Sequence, residues 1–410
     1  MSTETDGLPV LRPALGSDVT PPAESHAPKQ SVHQVLLAAV DASFAEDVAE
    51  GAPPPTEADV AARYEEVFRR YFPEFVDSTV AAIVEHAPGD LARARERRAA
   101  FQASLRAGWG EALDAFEVLT ETFAHFGREV VGEAGRAGRL ASDAQLSALA
   151  RLHARASRTA HEVRALLEEG LADRALARCR TLHEVGVVAT VLSRHDQAVA
   201  ERYLLHATVR DLKATRDRRT HAAALGWVPP EDADVAALQA EVDTLKQRFG
   251  TTFAEEHGWA EGAVPRTEPK RAVTMADLER SVGLERFRLF YGWSSGSVHA
   301  GPQGLRSLGV PLAAEREVLV EAGSTSGLAD PGQYAAIALA HVTGAFIPHL
   351  ATPEQEVLVG AITQLVERCK AAFIQTMYDV EERTRQNIAA EAREGRGLAD
   401  PGAQPTHAPT

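Results

Sequence analysis

The chain has 410 residues, 45% hydrophobic and 25% charged, with a formal net charge of −15. That composition excludes a collagen-like or disulfide-scaffold protein and gives enough apolar material for a sizeable core. The acidic balance repels a phosphate backbone, so any nucleic-acid contact requires a local basic patch.

Ala, Leu, Arg and Glu dominate and aromatics are only 6%, a mix that favours helices. The two cysteines, Cys179 and Cys369, form no CxxC pair, which removes zinc-knuckle and redox motifs. The N-terminus has neither a basic nor an apolar leader segment, and no apolar run approaches the roughly 20 residues of a membrane span. We therefore expect a cytoplasmic protein with reduced thiols, no cofactor and no metal.

Residues 1–30 are rich in Pro, Ser and Thr and lack apolar periodicity, so disorder is expected there. Ser31 opens a helix that Gly51 and Pro53–Pro55 stop, and Thr56 with Asp59 reads as a capping box. Val60, Tyr64, Val67, Phe68, Tyr71, Phe72 and Phe75 then fall at helical spacing and are expected in a core. Pro73 is expected to kink or divide this helix, and Pro88-Gly89-Asp90 to form a turn. A long helix follows to about Val131, with Leu105, Trp109, Leu113, Phe116, Leu119, Phe123, Phe126 and Val130 inward. After a Gly-rich turn, Ser142 caps a helix that Gly170 closes.

Arg178 to Leu192 reads RCRTLHEVGVVATVL, charged first and then almost wholly apolar. Its second half suits a strand by propensity, but its helical flanks predict a helix. Asp196 starts another helix ending near Arg219, Trp227-Val-Pro-Pro is a loop, and 235–249 is amphipathic. Gly258 to Arg271 reads as a linker. Thr274 and Asp277 open a helix, and Leu284 to His299 form the next. The Gly-rich 301–331 segment is expected to be a loop with at most one short strand near 317–321. Helices over 333–350 and from Pro353 onward complete the chain, with Val357, Leu358, Ile362, Leu365, Val366, Cys369, Phe373 and Met377 inward. The expected fold is all-α: an N-terminal helical region (31–138), a helical core domain (139–392) and a disordered tail (393–410).

Phosphate-cradling glycine loops and HExxH are absent. Arg180 and Glu184 share a helix face, either as a structural pair or as an Arg clamp for an anion oriented by the glutamate. Tyr291, Ser295 and His299 form one polar line at four-residue spacing. Arg202, Arg210 and Lys213 lie in a locally basic run and are the candidate anion-binding side chains, although such a run is ordinarily a solvated face. Metal-independent HEPN-type ribonucleases use an Arg and a His a few residues apart. Arg155/His161, Arg178/His183 and Arg216/His221 fit, but roughly four such pairs arise by chance from 38 Arg and 15 His, so the motif alone carries no weight.

From about Leu140 to Arg385 the chain resembles a widespread family of uncharacterised prokaryotic helical proteins. The resemblance rests on Arg180-Thr-Leu-His-Glu184, then Glu201-Arg202-Tyr203, the Lys246 to Trp259 segment, and Tyr291-x-x-x-Ser295-x-x-x-His299 followed by Ala300-Gly301-Pro302. It implies that Arg180, Glu184, Tyr291, Ser295 and His299 belong to one polar cluster, with Tyr203 of the second motif a further candidate for it, and it implies no activity. Two functions follow as expectations. One is a helical binding or interaction module with a protein or other partner, in a stress or phage-defence setting. The other is an RNA-cleaving or RNA-binding toxin-type protein. A homo-oligomer is compatible with both, and a membrane partner with neither.

Overall fold

A computed structural model describes residues 32–49, 51, 53–268, 271–298, 309–313, 316–319 and 322–397. The expected tail 1–30, residues 398–410 of the expected tail 393–410, the Ser31 cap, and His299 to Pro302 lie outside these residues, whereas 393–397 continue the last helix rather than beginning a tail. The fold is all-α, with one small antiparallel hairpin of Gly309–Ala313 (β1) and Arg316–Leu319 (β2), in which Val310 pairs with Val318.

The chain forms two compact units, divided between Ala103 and Ser104. In the first, Val32–Ala49 (α1) packs on the beginning of the 80-residue helix Glu57–Arg136 (α2). Leu36, Val40 and Val67 are buried there, with Tyr64, Phe68, Tyr71 and Phe75 against them. Val60 and Phe72 point outward, contrary to the expected core stripe. The Thr56–Asp59 capping box forms: Thr56 N–H donates to Asp59 Oδ2 at 2.9 Å and Asp59 N–H to Thr56 Oγ1 at 3.3 Å.

Neither Pro73 nor the Pro88-Gly89-Asp90 triplet ends α2. A proline costs the helix one hydrogen bond. Here Ala81-Ala82 and the Ala/Arg/Glu-rich run beyond Leu91 are strong helix formers, and helix propagation is cooperative. Asp90 pairs with Arg93, one turn on, rather than capping a new helix.

In the second unit, the predicted stripe from Leu105 to Val130 is fully buried. The C-terminal helix Pro353–Gly397 (α12) lays Ile362, Val366, Cys369 and Phe373 inward, and the Phe373 ring lies 6.1 Å from Trp109 and 6.3 Å from Phe116. Val357 is exposed, contrary to expectation.

Arg139–Ser142 (α3) is a single turn, and the cap of the next helix, Ala144–Glu168 (α4), is Asp143, whose carboxylate accepts from Leu146 N–H at 2.8 Å. The expected Ser142 cap is displaced by one residue because the carboxylate is the better acceptor at a positive helix end. Gly170, at φ +69°, closes α4 with Leu171 N–H bonded back to Leu166.

Ala172–Arg194 (α5) is the central helix. It packs against α4, Met275–Val282 (α9), Arg288–Val298 (α10) and Ala329–Gly344 (α11). Burial on all sides overrides the β-propensity of its valines. A Cβ at Gly186 would meet His341 Cβ at 3.3 Å, so the missing side chain sets the close approach of α5 and α11.

Gln197–Leu205 (α6) and Ala207–His221 (α7) split the single helix expected after Asp196, and Asp232–Phe249 (α8) pairs with α7. The Gly258 to Arg271 segment, expected to be a linker, is packed instead: Trp259, Ala260 and Val264 are buried in it. Apolar side chains spaced between its glycines and prolines make a short 3₁₀ turn that folds onto the domain.

Candidate functional site

The site is assembled where α5 meets α9, α10 and α11. His183 and Glu279 are 1% and 0% exposed, and His183 Nε2 lies 3.0 Å from Glu279 Oε1. Glu279 also accepts from Arg288 Nη1 at 2.7 Å. Burial works against ionisation of Glu279, but the hydrogen bonds from His183 and Arg288 outweigh it and hold the carboxyl below its ordinary range. His183 Nε2 donates to Glu279, and its Nδ1 is buried without a hydrogen-bond partner among the described residues.

A second ion pair forms the rim. Arg180 Nε donates to Glu184 Oε1 at 3.1 Å, and these side chains are 26% and 34% exposed. The Arg180 guanidinium lies 4.3 Å from the centre of the Tyr291 ring, and the Arg288 guanidinium 5.6 Å from it, so two cations address one aromatic face system. Burial, then the charge of Glu184, push the Tyr291 phenol up. Tyr291 also lies 6.2 Å from His183, linking rim to floor.

Tyr334 completes the floor. Its ring is 5.7 Å from His183 and stacked at 4.9 Å on Phe290. It is 1% exposed and its hydroxyl has no hydrogen-bond partner among the described residues. Burial pushes its phenol far up, so it is a permanent O–H donor. Cys179, one turn before His183, donates to Pro331 O at 3.2 Å, and burial pushes its thiol far above the range in which it could act as a nucleophile. His341 lies behind, its ring 5.3 Å from Phe287, with burial lowering its pKa to about 4.

Arg180, Glu184 and Tyr291 therefore come together. The side chain of Ser295, one turn beyond Tyr291 on α10, and the whole of His299 lie outside the described residues. Tyr203 stands apart: it sits on α6 edge-on to Trp259 at 5.1 Å, and has no described contact with Arg180, Glu184 or Tyr291. His183, Glu279, Arg288 and Tyr334 were not among the candidates. The signal for Glu279 was available, because it sits four residues after Met275 and three before Val282, a carboxylate on the apolar face of a short helix.

The basic residues separate as well. Arg202 is a structural group, donating to Gly258 O at 2.8 Å with its guanidinium over Phe249. Arg210 and Lys213 line a groove of about 500 Å³ between α7 and α8, together with Arg216 and Lys246. Asp217, Glu255 and Glu256 line it too, and Arg210 is held by Glu256 at 3.4 Å.

Among the described residues no group of His, Cys, Asp and Glu is placed to hold a metal ion, and no helix is long and apolar enough to cross a membrane. No curated protein and no solved structure matches the chain. Residues 146–311, from α4 into β1, match a family described as a family of unknown function (DUF5677), and this matched domain contains Arg180, His183, Glu184, Glu279, Arg288 and Tyr291.

Proposed function

We propose that this domain is a ligand-binding module that takes a small anionic molecule at Arg180, with a polar group of the ligand reaching inward to His183 and Tyr334. The observation that carries this reading is the pair of orphaned polar atoms, His183 Nδ1 and the Tyr334 hydroxyl, buried next to the charged rim. Native structures leave few buried polar atoms without a partner. A hydroxyl or water-like group can donate to His183 Nδ1 and accept from Tyr334 at once. Arg180, partly exposed with its guanidinium 4.3 Å from the Tyr291 ring centre, suits a carboxylate or phosphate.

Thermal unfolding in rising inorganic phosphate, acetate and adenosine monophosphate tests the reading. A specific ligand at 100 times its Kd stabilises the wild type by about 2.7 kcal/mol. Arg180→Gln and Tyr334→Phe are expected to lose that response. If none of the probes stabilises the wild type, or Arg180→Gln responds as the wild type does, the reading fails.

One observation favours a second reading, RNA binding: the α7–α8 groove with its four cations. Under it, anisotropy of a labelled single-stranded RNA rises with protein, and Lys213→Glu weakens the binding most at low salt, the difference from wild type shrinking as salt rises. HEPN-type cleavage through Arg178 and His183 gains no support. His183 is 1% exposed and engaged by Glu279, and Arg178 sits 3.2 Å from Glu162.

A further inference from the structure

Beyond its packing on α1, helix α2 carries an apolar stripe that is exposed among the described residues. Val76, Val80, Ile83, Val84 and Leu91 are 41–66% exposed, and Ala87 lies in line with them. At 100° per residue these six positions fall in a band about 100° wide. Exposed aliphatic side chains clustered in this way mark an interaction surface rather than ordinary surface scatter. The intervals between them are four, three, one, three and four residues, so the stripe reads the same in both directions about the midpoint of Ile83 and Val84.

We propose that a second copy of this chain covers the stripe, the two α2 helices running antiparallel about a twofold axis at Ile83/Val84. A palindromic stripe is self-complementary under that operation, as an isologous interface requires. Val76 meets Leu91 of the second copy, Val80 meets Ala87, and Ile83 meets Val84. The contact runs along about 22 Å of each helix.

The charges agree with this pairing. Asp77 and Arg95 fall on the same flank of the stripe, each about 70° from its centre by helical geometry, and neither has an ion-pair partner among the described residues. The antiparallel arrangement sets Asp77 of one copy about 7.5 Å along the axis from Arg95 of the other, within reach of an arginine.

Disulfide trapping and sedimentation of the full chain test the proposal, and the native cysteines do not interfere because Cys179 and Cys369 are wholly buried. Val84→Cys sits at the axis and is expected to cross-link to itself under mild oxidation. Leu91→Cys lies opposite Val76 and is expected not to. In sedimentation velocity the wild type is expected to shift from monomer to dimer with concentration. Val84→Glu is expected to remain monomeric, Asp77→Arg to weaken the dimer at least several-fold, and Asp77→Arg with Arg95→Asp to restore it. A wild type that stays monomeric throughout overturns the proposal and assigns the stripe to a different partner. Equal self-cross-linking at positions 84 and 91 overturns it in favour of parallel pairing. None of these readouts involves Arg180, so failure here is separable from failure of the ligand-binding reading.

Discussion

Two regions of this chain invert the usual partition of side chains, in opposite senses. Around α5, a histidine and a glutamate are buried at 1% and 0% exposure. Along α2 from Val76 to Leu91, aliphatic side chains stand in solvent. Buried polar groups and exposed apolar patches are the informative departures from ordinary burial. Neither helps an isolated chain: a buried ion pair rarely repays its desolvation, and an exposed valine returns no hydrophobic gain. The difference lies in where the compensation comes from. The α5 cluster is nearly closed, with its charges matched inside the domain and two buried polar atoms unpartnered among the described residues, which fits a small ligand. The α2 stripe is open along its whole length and calls for a surface as long as itself.

Substitutions can break this contrast in order of expected effect. Glu279→Ala removes the shared acceptor of His183 and Arg288, and the buried His183 N–H left without an acceptor costs about 1–3 kcal/mol in urea unfolding. Stability is also expected to fall with acidification. His153 is buried against Phe123, and burial lowers its pKa from 6.5 to about 4. The unfolded chain therefore binds more protons than the folded one between these values. Stability is full above about pH 6.5 and declines as pH falls towards 4, by up to about 3 kcal/mol for this residue. His341 acts in the same direction. A pH series of urea midpoints checks it, and His153→Phe is expected to flatten the slope.

Smaller effects separate the two regions further. Arg180→Gln gives up its contact with Tyr291 and is expected to cost about 1 kcal/mol, measured by thermal unfolding. Tyr334→Phe removes an unpartnered hydroxyl, so stability of the unliganded protein is expected to stay level or rise, while the phosphate or nucleotide response falls. Val84→Glu on the stripe is expected to change monomer stability by less than about 0.5 kcal/mol, because the side chain is already in water.

Much of this arrangement was legible in the residues. The helical reading of Arg178 to Leu192 follows from its flanks, and the Arg180–Glu184 pair from four-residue spacing. The Thr56–Asp59 and Thr274–Asp277 capping boxes form as their spacing requires. What was not legible depends on distance along the chain or on competition between local signals. His183 and Glu279 are 96 residues apart, and only packing of α5 on α9 brings them together. The α2 stripe was hidden because Pro88-Gly89-Asp90 reads as a turn, which cuts the palindrome before Leu91. The cooperativity of a long helix overrode that signal.

The central claim is that the α5 cluster is kept for binding and not for stability. Its most direct test is the unfolding free energy of the double variant His183→Leu/Glu279→Leu, set beside both single variants. The account predicts a double variant within about 1 kcal/mol of the wild type while Glu279→Leu alone loses about 1–3 kcal/mol, because removing both partners leaves no buried donor without an acceptor. A double variant whose loss equals the sum of the two single losses would contradict it.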